Sequence, residues 1–379
     1  MQVWTVKPLT ITHFPSTLKH DAWLGLCCLP ALMLIFFVGY YLDRMQTASI
    51  IASGAITLAY GANKTWESSS LLLLLATALG VTVSTWLGSL AGNVMPVYIF
   101  GSMLYAGLYA MLASIQSGLW WALLQCAIAW LVAGYFAGSP LHAAERAALV
   151  GIGGLLQITC LVLLFNKIRF QLQDVTRHNW ADIFQHVRQR YRQKIHIGWS
   201  VFFAMAAMGI ALWMVERHAV GNGYWAGMTL LLCLRNDFRQ SVRRVPARIL
   251  GTLLGSLTAT LLLKFLHTPL MLATGLTVAG YVAFTASYTL ATRSYFIFTF
   301  LVTVTVIFLM SSLGLPQHNV AINRVISTTT GGLFALCAIL LARMMTDFHV
   351  MKKLRQRAAR LPDAARSFRR RDAGNSEER

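Results

Sequence analysis

Arginine is the residue type whose placement in this sequence points to chemistry. Arg248 stands at the head of an apolar run, Ile249-Leu250-Gly251-Thr252-Leu253-Leu254-Gly255. A charge at such a place is costly unless it faces a partner or water, which makes Arg248 a candidate for a pathway or binding role. The turn leading into it, Arg235-Asn236-Asp237-Phe238-Arg239-Gln240-Ser241-Val242-Arg243-Arg244-Val245-Pro246-Ala247-Arg248, holds five arginines. Planar guanidinium forks suit carboxylates, and positive charge gathered at a mouth raises the local concentration of anions. Retention of Lys and Arg on the cytoplasmic side of a membrane explains most of that turn equally well. Arg146 and Arg324 make a second pattern, because Gly153-Gly154-Leu155 and Gly331-Gly332-Leu333 follow them at the same spacing. Such a pair suits an outer gate, or two side chains reaching for headgroups.

What is missing narrows the chemistry further. Of the 13 acids and 10 histidines, none falls in the middle of an apolar segment, so no buried proton relay is visible. No zinc spacing, Asp-rich diphosphate site, Walker loop or nucleophile triad occurs. The expectation is a protein without catalytic activity, cofactor or metal. All six cysteines lie in apolar segments and read as small packing residues.

The elements that must position these arginines are membrane spans. The chain has 379 residues, 56% hydrophobic and 12% charged, where a soluble protein carries about 25% charged residues. That excludes a soluble enzyme, a disordered chain and a nucleic-acid-binding domain. The net charge of +19 is concentrated in 166–196, 235–248 and 343–379. A bilayer core of roughly 30 Å needs about 20 apolar residues per helix. Candidate spans lie near 22–41, 47–62, 69–91, 95–114, 119–137 and 147–165, then near 197–215, 221–234, 249–266, 269–288, 295–313 and 325–345. Twelve spans with the N-terminus inside place 27 of the 32 Lys and Arg residues in the cytoplasm, as the positive-inside rule requires. Arg44, Arg146, Arg217, Lys264 and Arg324 fall outside. No cleavable signal peptide is evident.

The two halves echo each other at a period of about 171–178 residues. Tyr41-Leu42-Asp43-Arg44 matches Met214-Val215-Glu216-Arg217, Ile56-Thr57-Leu58 matches Met228-Thr229-Leu230, and Asn63 matches Asn236. Ala78-Leu79-Gly80 matches Ile249-Leu250-Gly251, which puts Thr77 where the second half has Arg248. The expected fold is an all-α integral membrane protein of about 12 transmembrane helices in two parallel six-helix repeats, with both termini cytoplasmic and the pathway along the axis between them. The first repeat covers 1–165, a basic linker 166–196, the second repeat 197–345 and a basic tail 346–379. Trp180, Ile183, Phe184, Val187, Tyr191 and Ile195 recur at helical spacing in the linker, as in an amphipathic helix on the inner leaflet. The second span of each repeat is short and glycine-bearing, with Gly54 and Gly61 in one and Gly221, Gly223 and Gly227 in the other. That is a pointer to a transporter site, and Asn63 and Asn236 close those spans. A half-helix exposing its N–H groups to an anion and a short, strongly embedded helix are both open readings.

In the second half Tyr224-Trp225, Thr229, Arg248-Ile249-Leu250-Gly251-Thr252, Gly255 and Arg324 resemble the fusaric acid resistance protein family of bacterial inner-membrane exporters. That family includes the aromatic acid exporters and is distantly similar to the aluminium-activated malate transporters. The resemblance implies export of organic anions, often aromatic carboxylates, by a bundle of two six-helix halves. Carried over residue by residue, it marks Tyr224, Trp225, Thr229, Arg248, Gly251, Thr252 and Arg324. It also implies a membrane-fusion partner protein for large members of the family. The expected function is an inner-membrane exporter of small organic anions. The alternative is a non-transporting scaffold or envelope protein whose basic linker and tail hold anionic lipid or a partner.

Overall fold

The protein is described here by a computed structural model covering residues 18–65, 69–113, 117–165, 197–218, 220–235, 238–290, 294–314 and 322–348. The linker helix expected over 166–196, the basic tail and Asn236 lie outside these residues. Apolar sequence that enters a bilayer must satisfy its own backbone, which leaves the helix as the local solution. Among the described residues the helices are α1 (Leu18–Tyr41), α2 (Met45–Ala59), α3 (Ser70–Ala91), α4 (Met95–Ala113), α5 (Ser117–Tyr135) and α6 (Pro140–Leu164). They continue with α7 (Ile197–Arg217), α8 (Tyr224–Cys233), α9 (Phe238–Leu263), α10 (Pro269–Thr289), α11 (Tyr295–Ser312) and α12 (Ile322–Phe348). The starts are written in the sequence. Ser69, Ser139 and Thr268 accept from the amides of Leu72, His142 and Met271 at 3.2, 3.4 and 3.2 Å, as N-caps do. Pro140 and Pro269 occupy first-turn positions where their missing N–H costs nothing. Pro30 breaks α1 at Cys28, whose amide makes a tightened bond to the Gly25 carbonyl at 3.1 Å.

Ten of these helices are long and apolar enough to cross a membrane, so the chain is a multi-pass membrane protein. The two that are not are α2, with 15 residues, and α8, with 10. At 1.5 Å per residue they reach about 22 and 15 Å, short of a hydrocarbon core of roughly 30 Å. Gly54 lies inside a continuous α2, packed on the backbone of α6 at Val150. The second span of the first half is therefore a short embedded helix, without an unwound stretch at Gly54.

Two spans begin earlier than apolar content alone suggests. The window near 147 belongs to a helix that starts at Pro140, and the window near 249 to one that starts at Phe238. Polar residues continue a helix as readily as apolar ones, so hydropathy located the buried part and missed the polar first turns. The correction matters for Arg248. It stands about 15 Å along α9 from its start and keeps only 2% of its surface exposed, well inside the helix.

The packing interleaves the two halves. One core joins α1, α2, α3 and the end of α6 to α10 and α11, and the other joins α4 and α5 to α7, α8 and α12. The close helix pairs are α3 with α5 and α2 with α6 in the first half, and α9 with α11 in the second, while α4 lies on α7 and α10 on α1 across the halves. Gly153 of α6 sits against the carbonyl of Ile51 on α2, and Gly331 of α12 against the carbonyl of Ala226 on α8. No larger residue fits either approach without displacing backbone. Hydrogen bonds also cross between halves. Ser49 meets Ser312 Oγ to Oγ at 2.7 Å, the Asn222 amide donates to Tyr135 Oη at 2.9 Å, and Tyr288 donates to the Ala59 carbonyl.

Candidate functional site

The interleaving leaves a cavity of about 660 Å³ between the halves. Both short helices line it, together with α5 and α11. From α2 come Ser49, Ser53 and Thr57, spaced four residues apart on one stripe, and Tyr60 just beyond the helix; from α8 come Trp225, Met228 and Leu232. Aromatic rings of Trp120, Trp121, Phe136, Tyr295 and Phe298 line the cavity as well. Brevity of α2 and α8 is what leaves their ends to turns. Lys64 follows the first and Arg235 the second, and both turn residues line the cavity.

Among the described residues six cations line this space, Lys64, Arg146, Arg235, Arg244, Arg248 and Arg324, and no carboxylate does. Aromatic faces take part of the load. Arg235 lies 3.9 Å over Trp120, Arg244 4.6 Å over Tyr295, Arg324 3.7 Å over Trp225, and Arg146 5.9 Å over Phe136. Such contacts contribute roughly 0.5–2 kcal/mol each, less than the several kcal/mol that desolvating an ion costs. Hydrogen bonding does not close the gap. Among the described residues Nε and Nη1 of both Arg248 and Arg324, and Nε of Arg235, find no acceptor. At the turns the strain is electrostatic. Burial, with Arg235 beside it, pushes the Lys64 ammonium below its ordinary value, and burial lowers Arg235 as well. A positively charged, water-poor space with an apolar body can do one thing well: hold an anion whose remainder is apolar.

Of the residues singled out by sequence, Arg146, Trp225, Arg248 and Arg324 line the cavity. Tyr224, Thr229 and Thr252 do not; they are buried in the wall behind it. Tyr224 packs on Tyr135 and Trp225 at ring-centre distances of 5.0 and 4.8 Å and points its hydroxyl at Met310 Sδ, 3.9 Å away. The Thr229 and Thr252 hydroxyls are buried without partners among the described residues. Asn63 sits next to Lys64 in the turn after α2 with its buried Oδ1 unpartnered. Sequence reasoning took Lys64 as an orientation signal, read Arg235 and Arg244 either as that or as part of an anion-gathering mouth, and did not select Ser49, Ser53, Thr57 or Tyr60. The i, i+4, i+8 spacing of Ser49, Ser53 and Thr57 in an otherwise apolar segment was the available signal.

The second half of this geometry, which supplies four of the six cations, also decides the comparison with known proteins. Residues 196–338 match the model of a family described as fusaric acid resistance protein-like. Over these residues the chain is similar to that family. The family match covers Trp225, Arg235, Arg244, Arg248 and Arg324 and stops at the boundary of the second membrane half, so the first-half wall of the cavity stands outside it. No curated protein and no solved structure matches the chain.

Proposed function

We propose that the protein moves small organic anions across the bacterial inner membrane, outward, through the space between its two halves. The observation that carries this reading is the set of six cations around a cavity of about 660 Å³ that no carboxylate lines among the described residues. Bound anions discharge that excess, and the aromatic walls suit a body such as an aromatic ring. The proposed working parts are Arg248, Arg324 and Arg146 with Trp225 inside the cavity, Tyr224, Thr229 and Thr252 supporting them from behind, and Asn63 and Asn236 at the turns that end the short helices.

Duplication is part of the proposal. Gly154 rests against Ala78 and Gly332 against Ile249, and Ala78 and Ile249 are matched positions in the two sequence halves. The cross-half packing of α4 on α7 has its counterpart in α10 on α1. This supports two parallel six-helix repeats about an axis along the membrane normal, with both termini in the cytoplasm beside the Lys64 and Arg235 turns. Lys and Arg concentrate there.

The test is flux from proteoliposomes loaded with a panel of aromatic and dicarboxylic anions, comparing the full chain with Arg248→Ala. At least a tenfold loss of flux in a folded, inserted variant is expected, the factor that about 1.4 kcal/mol supplies. Absence of flux under both an imposed pH gradient and an imposed voltage, in folded protein, would instead favour a scaffold that holds anionic lipid.

A further inference from the structure

Behind the cavity wall α9, α11 and α12 meet along a seam of polar groups. Arg248, Thr252 and Ser256 follow one another at four-residue spacing on α9, Thr299 and Thr303 do so on α11, and Arg324 and Ser327 lie on α12. Gly251 and Gly255 let the helices close, since a Cβ on either would lie 2.9 Å from the Cβ of Thr299 or Thr303. Arg324 donates to Thr303 Oγ1 at 3.4 Å, and it feels the like charge of Arg248.

Many hydroxyls elsewhere in the chain are satisfied by their own helix. Thr57, Thr77, Thr82, Thr85 and Thr277 each donate to the carbonyl four residues back, at 2.7–2.8 Å. In the seam Thr252, Ser256, Thr299 and Ser327 are buried and have no partner among the described residues. Two guanidinium groups in the same place also keep free donors. Each unmet buried donor costs about 1–3 kcal/mol, and among the described residues no carboxylate lines the cavity that Arg248 and Arg324 face. A compact acceptor that carries negative charge and no proton satisfies all of them together.

We infer that Arg248 and Arg324, with the hydroxyls of Thr252, Thr299 and Ser327, hold one small inorganic anion of halide size as a resident counter-charge. Thr252, Ser256, Thr299 and Ser327 stay outside the lining of the cavity and are at most 4% exposed, so the seam excludes an organic body. The anion keeps α9 and α12 together against the mutual repulsion of their arginines. The inference rests on the reading above only in taking Arg248 and Arg324 as the cavity's deep wall; it requires no transport.

The experiment is thermal unfolding of the purified full chain, at constant ionic strength, with the sodium salt varied among chloride, bromide, nitrate, gluconate and benzoate. Saturable stabilisation by chloride, bromide and nitrate over gluconate is expected, growing with concentration as ligand linkage demands. Thr299→Val keeps the fold and removes one donor, and it is expected to weaken the apparent halide affinity about tenfold, the loss of one hydrogen bond to a charged group. Arg324→Gln is expected to abolish the halide dependence. Equal melting in all five salts overturns the inference, as does stabilisation by benzoate alone, which assigns the seam to the cargo, or halide dependence that survives in both variants. Because no flux is measured, loss of this site and loss of the transport reading are told apart.

Discussion

Arg146 and Arg324 occupy matching places in the two halves and carry different burdens. Arg146 is half-buried on α6 and donates to Ser89 Oγ at 3.1 Å and to the Phe136 carbonyl. Arg324 keeps 1% of its surface exposed, lies face-on against Trp225 and has a single weak bond to Thr303. The same contrast runs down the neighbouring helices. Where Gly251 meets Thr299, Gly80 meets Cys126 Sγ; where α9 carries Arg248, α3 carries Thr77, whose hydroxyl is satisfied by the Leu73 carbonyl at 2.7 Å. At these matched positions the first half holds satisfied groups, Arg146 and Thr77, and the second holds guanidinium donors without acceptors. On the proposed duplication, matched helix contacts persist while the polar groups they hold differ between the halves.

That division can be broken most sharply at the two arginines. Arg324→Ala is expected to lower anion flux in proteoliposomes by about 100-fold, and Arg146→Ala by about threefold. The difference reflects loss of roughly two charged hydrogen bonds at about 1.5 kcal/mol each against a group already paired to protein. Equal losses would make the halves functionally alike. Next comes the shared scaffold, where Gly153→Ala and Gly331→Ala are each expected to cost about 1–3 kcal/mol through overpacking of a carbonyl. Chemical denaturation would show whether the two are similar, as matched contacts demand. Converting Thr77→Arg puts the second half's charge into the first half without its unmet hydroxyls, and lower thermal stability with no gain in flux is the expected outcome.

The smallest effect concerns the turns. Burial beside Arg235 lowers the Lys64 pKa, so between that value and the ordinary lysine value the unfolded chain binds the extra proton. Stability therefore rises with pH through this window, opposite to a lysine held in a salt bridge. Lys64→Gln is expected to flatten that alkaline rise in melting temperature, while anion flux of the natural chain falls over the same window as the charge is lost.

Much of this was readable from residue types. Long apolar runs must become helices because no other backbone arrangement satisfies itself in hydrocarbon, and the helices at 47–62 and 221–234 stood out as short before their lengths were seen. Arg248 was conspicuous because a charge in an apolar run is expensive. The polar starts of α6 and α9 were illegible, since hydropathy measures burial and says little about where a helix begins. Lys64 looked like an orientation signal, and Arg235 and Arg244 could be read that way too, because the same residue type serves topology and anion binding, and only their common lining of one cavity separates the two uses.

By itself, then, the sequence determined a multi-pass helical membrane protein with a family-like second half and an excess of positive charge, because composition and local periodicity set solvent and backbone. Only the tertiary structure decided which charges meet. Interleaving of α4 and α5 with α7 and α8, and of α10 and α11 with α1 and α2, brings Lys64 into the same space as Arg248 and Arg324. Such contacts between distant segments depend on how helix faces pack, and that information resides in no single stretch of chain.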